Sequence, residues 1–177
     1  MKTVCEIDIL GDPQLQRGMV AGSLGLFLVG VMGVLVGLAL GVADALDGLL
    51  WLACVVGLSL AALPVHELIH GAAFRLLGGP GTRVRFGHQA GMLYATAPGT
   101  VYARGRFMAI LLAPTVVLSL GFAGWGLLGG MPLAAWACLW VHLSGCVGDL
   151  LMTREIRREP ECTHVRDTAT GIALLRQ

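Results

Sequence analysis

The stretch Phe107–Gly148 reads FMAILLAPTVVLSLGFAGWGLLGGMPLAAWACLWVHLSGCVG, 42 residues without Asp, Glu, Lys or Arg. A chain crosses the hydrocarbon core of a bilayer in about 20 apolar residues. The stretch is therefore long enough for two crossings, and Gly129-Gly130-Met131-Pro132 breaks it near the middle. Helices end or turn at such glycine and proline clusters. Working outward, Gly18–Ala43 has 26 uncharged residues, and Gly48–Phe74 has 27 interrupted by Glu67 alone. The expectation is an all-α membrane protein with four transmembrane helices, at about 18–43, 48–77, 107–128 and 132–152.

Composition excludes the ordinary alternative. Of 177 residues 56% are hydrophobic and 13% are charged, about half the charge of a typical soluble domain. The net charge of +1 and the absence of a Lys/Arg-dense run argue against a nucleic-acid partner. Met1–Arg17 is a short polar arm containing Glu6, Asp8 and Asp12, which lacks the apolar core of a signal peptide. Within it Val4–Leu10 alternates, as a strand or an interfacial segment would. Cys5, Cys54, Cys138, Cys146 and Cys162 show no paired spacing and read as small apolar fillers.

The positions of the charges orient the chain. Lys2 and Arg17 lie in the arm, Arg75, Arg83, Arg85, Arg104 and Arg106 around the connection between the second and third spans, and Arg154, Arg157, Arg158, Arg166 and Arg176 in a tail over 154–177. Together they are all 12 basic residues. The two opposite connections hold none, so the positive-inside rule places both termini in the cytoplasm. The arginine-rich connection alternates through Arg83–His88, can turn at Gln89-Ala90-Gly91 and can return through Met92–Thr96, which predicts a β-hairpin at about 82–97. Gly33, Gly37 and Gly41 leave one side of the first span smooth, for a helix of this chain or of a second copy. The organisation expected is an arm over 1–17, a transmembrane domain over 18–153 and the tail.

Two acids remain within the spans, Glu67 and Asp149, and intramembrane carboxylates are costly enough to mark function. Glu67 belongs to His66-Glu67-Leu68-Ile69-His70. At about 100° per residue the two histidines and the glutamate share one narrow arc of a helix. The imidazoles can hold one zinc ion, while Glu67 is offset enough to act on a water as general base. A catalytic zinc needs a third protein ligand. Counted from the non-cytoplasmic ends of their helices, His66 and Asp149 both lie roughly 26 Å down, whereas His142 is about 10 Å higher than Asp149. Depth favours Asp149 as that ligand. It leaves His142 as a histidine hydrogen-bonded within the bundle, as a substrate or oxyanion contact, or as a metal ligand reached only with distortion.

His-Glu-Leu-Ile-His-Gly at residues 66–71, the arginine-rich connection, Ala113-Pro114, and Ser144-Gly145 followed by Gly148-Asp149 together resemble the zincin-peptidase family of small integral membrane proteins. That family is similar in plan to site-2-type intramembrane zinc metalloproteases. Glu159-Pro160 and Asp167-Thr168 of the tail also look like the family's. The site-2 enzymes carry Asn and Pro ahead of an Asp-Gly pair, whereas here Gly148 precedes the aspartate and Leu150 follows it. The resemblance implies His66, His70 and Asp149 as zinc ligands, Glu67 as the catalytic base, a membrane-protein or peptide substrate, and a bacterial cytoplasmic membrane. The alternative is a non-catalytic metal-binding scaffold, or a carrier of a small solute or ion using the intramembrane polar groups.

Overall fold

The fold was analysed in a computed structural model that describes residues 1–8, 11–89, 91–168 and 171–177. In chain order the elements are β1 (Lys2–Asp8), α1 (Pro13–Ala39), α2 (Gly48–Gly78), β2 (Arg85–Gln89), β3 (Met92–Thr96), β4 (Val101–Ala103), α3 (Arg104–Leu128), α4 (Pro132–Gly145), α5 (Val147–Arg158), β5 (His164–Asp167) and β6 (Gly171–Arg176). Helices α1, α2 and α3 are each long and apolar enough to cross a membrane. The last apolar run differs from the expected single helix. It breaks at Cys146 into α4 and α5, a pair bent by 49° that is long and apolar enough to cross a membrane only if the two are taken together.

The chain divides into two compact units, residues 20–65 with 115–147, and residues 1–19 with 66–114 and 148–177. In the first of these, Gly30, Gly33 and Gly37 of α1 face Trp140, Trp136 and Leu133 of α4 so closely that a Cβ at any of them would collide. The Trp136 indole Nε1 completes the seam by donating to the Gly30 carbonyl at 3.1 Å. The smooth stripe thus packs within the chain, except at Gly41, which has open space around it. Asp44 closes the start of α4. Its carboxylate accepts from the backbone N–H groups of Leu133 at 2.9 Å and Ala134 at 2.7 Å, and from the Trp51 indole at 2.6 Å. An acid at a helix N-terminus satisfies orphan donors and meets the positive end of the helix dipole. Many large apolar side chains of α1 and α2 are exposed, among them Leu24, Leu35, Leu49 and Leu60. A soluble monomer rarely exposes so large an apolar area.

The other unit has its own core, in which Phe74, Tyr102 and Phe107 meet with ring centroids 5.6–6.2 Å apart. Ile110, Leu111, Ile156, Val165, Ile172 and Leu174 surround them. Here the structure corrects the all-α expectation. Strands β1-β6-β5-β4 form a four-stranded antiparallel sheet, and residues 154–177, read in the sequence as a charged tail, take part in it. They finish α5 and supply β5 and β6, burying Val165, Ile172, Ala173, Leu174 and Leu175. The arm is likewise built in. Asp12 caps α1 by accepting from Gln14 N at 2.7 Å, Pro13 opens the helix, and β1 pairs with β6. Of the expected strand Val4–Leu10, Ile9 and Leu10 lie outside the described residues. Strands β2 and β3 pair antiparallel from Arg85–Thr96 to Gln89–Met92, and Ala90 of the expected turn also lies outside them.

Candidate metal centre

Helix α2 carries His66 and His70 one turn apart, so both rings leave the same face. Their Nε2 atoms lie 3.1 Å from each other. Asp149 comes from the first turn of α5, and its Oδ2 lies 3.2 Å from His66 Nε2 and 3.4 Å from His70 Nε2. The break at Cys146 places this carboxylate at a helix N-terminus, where the dipole favours its charge. The site is enclosed, with His70 6% and Asp149 9% exposed.

These separations fit a shared ion. Zinc bonds of about 2.0–2.2 Å at tetrahedral angles put donor atoms about 3.3–3.5 Å apart. The tautomer of His70 fits as well. Its Nδ1 is 3.0 Å from the Ile110 carbonyl oxygen of α3, and a carbonyl can only accept. The proton therefore sits on Nδ1, and Nε2 of the neutral ring offers its lone pair to the cluster. Such a backbone bond to the far ring nitrogen is the usual way a ligating histidine is oriented.

Glu67 is half-buried beside this cluster. The backbone N–H of Ala95 in β3 acts on its carboxylate, so the hairpin touches the site through main chain. Two close contacts hold the hairpin. Gly71 of α2 sits against the Phe86 ring where a Cβ would collide. At the other end Asp167 of β5 accepts from the Thr96 hydroxyl and, at 3.0 Å, from Ala97 N. Burial pushes the Asp167 carboxyl above its usual range despite those bonds.

Of the residues singled out in the sequence, His66, His70 and Asp149 come together, with Glu67 beside them. His142 does not belong to this unit. It is buried in α4, with its Nε2 3.4 Å from Cys146 Sγ and its ring 6.1 Å from that of Phe122. None of the five cysteines is in a disulfide, and burial pushes the Cys162 thiol up, away from reactivity. Sequence reasoning noted Asp167 without giving it a role, and missed Ala95 and the Ile110 carbonyl. The last two act through backbone atoms, which no side-chain pattern reveals.

Among known proteins, the model of a family described as "Putative zincin peptidase" matches residues 59–164. No curated protein and no solved structure matches the chain. The match spans more than half of the sequence, including both histidines, Glu67 and Asp149, and the chain belongs to that family.

Proposed function

We propose that this zincin-family protein is an integral membrane zinc metallopeptidase that cuts peptide bonds at or within the bilayer near its cytoplasmic face. In this reading the bent pair α4–α5 is a fourth span, both termini are cytoplasmic, and the overall plan is that of the site-2-type enzymes. The observation that carries it is the convergence of His66 Nε2, His70 Nε2 and Asp149 Oδ2 within 3.1–3.4 Å of one another, with a glutamate following the first histidine. His66, His70 and Asp149 would hold the zinc.

When bound, the ion supplies Lewis acidity toward water and toward a carbonyl oxygen. The remaining chemistry belongs to the side chains. Glu67, offset by about 100° from His66 on the helix, takes a proton from the attacking water at its carboxylate. It then returns that proton to the amide nitrogen as the C–N bond breaks. The Ala95 N–H orients the carboxylate for both transfers. Asp149 balances charge, and the Ile110 carbonyl keeps the His70 proton on Nδ1. Among the described residues β3 pairs only with β2, which leaves an edge on which an unwound substrate can add as an extended strand.

The test is to offer purified protein a library of membrane-protein segments and compare it with Glu67→Gln. The expected result is cleavage by the wild type and a loss of about 10²–10⁴-fold in the variant at unchanged metal content. Bound zinc without any Glu67-dependent cleavage would refute the peptidase and leave a metal-binding membrane protein.

A further inference from the structure

Beyond the metal centre, one face of α5 carries Leu150, Thr153, Arg154, Arg157 and Arg158 within an arc of about 140°. With Leu112 of α3 these residues line an open cavity of about 390 Å³. The cavity is graded along the helix. Leu112 and Leu150 form its apolar end, and about 12 Å further along α5 come the last arginines.

Charge within it is unbalanced. Arg154 lies 2.7 Å and Arg158 3.3 Å from the single carboxylate Glu155. The exposed Arg157 side chain has no carboxylate partner among the described residues. A helix C-terminus ordinarily repels anions. Here the Arg104 guanidinium neutralises it, donating to the carbonyls of Ile156 at 2.9 Å and Arg157 at 3.1 Å.

The second observation is Thr153. It is 7% exposed, it lines the cavity, and its hydroxyl finds no hydrogen-bond partner among the described residues. A helical threonine ordinarily returns its hydroxyl to the carbonyl four residues back. A buried hydroxyl left unpaired is unfavourable, so a ligand oxygen that pairs with it is favoured. Arginines snorkelling to a cytoplasmic surface account for positive charge in general. They do not account for an orphan hydroxyl among three arginines on a single face.

We infer that this cavity binds the headgroup phosphate of an acidic phospholipid, with the acyl chains along Leu112 and Leu150. The phosphate meets Arg157, Arg154 and the Thr153 hydroxyl, and Arg158 adds charge at the rim. The inference rests on the apolar helices lying in a bilayer and is independent of peptide hydrolysis.

The test is native mass spectrometry of the full chain in detergent, titrated with phosphatidylglycerol or phosphatidylcholine of the same acyl chains. Phosphatidylglycerol is expected to bind at least tenfold more tightly. Arg157→Gln and Arg154→Gln should each weaken it about fivefold, the contribution typical of one basic residue toward an anionic lipid. The near-isosteric Thr153→Val should weaken it without lowering the melting temperature, and Arg83→Gln, an exposed arginine elsewhere, should leave it unchanged. Glu67→Gln should also leave it unchanged, separating this outcome from that of the peptidase test. Equal binding of the two lipids, or equal losses in Arg83→Gln and Arg157→Gln, would overturn the site. Displacement of the lipid by millimolar inorganic phosphate would reassign it to a soluble phosphate and overturn the lipid.

Discussion

His70 donates its Nδ1 proton to the carbonyl oxygen of Ile110 across 3.0 Å, so a main-chain atom of α3 decides which nitrogen of an α2 histidine faces Asp149. The tautomer is set by the fold before any metal arrives. Asp149 is then the one negative charge among the three proposed ligands. Asp149→Asn keeps the shape and removes the charge, and it should weaken zinc binding well over tenfold, more than loss of an outer-shell partner does. Competition with a fluorescent zinc chelator checks this, and affinity equal to the wild type would remove Asp149 from the ligand set.

Asp167 ties the hairpin to the four-stranded sheet through Thr96 and Ala97. Its carboxyl is held above the usual range, chiefly by burial. The folded protein therefore holds that proton more tightly than the unfolded chain does. Stability must fall as pH rises from the unfolded value near 4 through the higher folded value, and level off above it. Asp167→Asn, which can still accept from Ala97 N, should flatten this dependence. Thermal melts of chelator-treated wild type and variant across this range measure it, and parallel curves would contradict the assignment. Asp167→Ala leaves a backbone donor and a hydroxyl unpaired, and should cost about 1–3 kcal/mol.

Gly71 lets the Phe86 ring lie directly on α2. Gly71→Val places a branched side chain where the Phe86 ring sits, and is expected to displace that ring and loosen the seat of β2 and β3 beside Glu67. Proteolysis should fall at least tenfold, on the general grounds that small displacements of a catalytic group are expensive. Zinc content should stay at the wild-type level, because no proposed ligand is on the hairpin. Full activity in this variant would show that the hairpin does not position the base.

Asp44 accepts three hydrogen bonds, two from the first turn of α4 and one from Trp51. Asp44→Ala removes the cap and strands the indole. A loss of about 0.5–2 kcal/mol is expected for the cap, with about another 1 kcal/mol for the indole. Detergent-solubilised unfolding measures it, and a change below about 0.3 kcal/mol would contradict the capping role.

The apolar helices were legible because a bilayer imposes length and composition directly: the uncharged runs around Gly18–Ala43, Gly48–Phe74 and Phe107–Leu128 coincide closely with α1, α2 and α3. The closeness of His66, His70 and Asp149 was legible because the histidines obey helical spacing and the residue counts along the expected spans bring Asp149 to their level. What escaped was β structure of low amplitude. Strand β5 has four residues and β6 six, in a segment dominated by charge. Ile172–Leu175 is a continuous apolar run rather than an alternation, so period-2 patterning gave no signal. The break at Cys146 escaped for another reason. Nothing in Gly145-Cys146-Val147-Gly148 forbids a helix, and tertiary context places the discontinuity there. The roles of Ala95 and Ile110 rest on backbone atoms and could be found only in three dimensions.

The most direct test of the central claim is a metal count on purified protein by inductively coupled plasma mass spectrometry, for the wild type and for His66→Ala, His70→Ala and Asp149→Ala, each checked for folding by its melting curve. One zinc per chain in the wild type, and well under a tenth of that in each folded variant, is the predicted result. A metal-free wild type after purification without chelators and with zinc supplied, or zinc retained at full stoichiometry by His66→Ala, would contradict it.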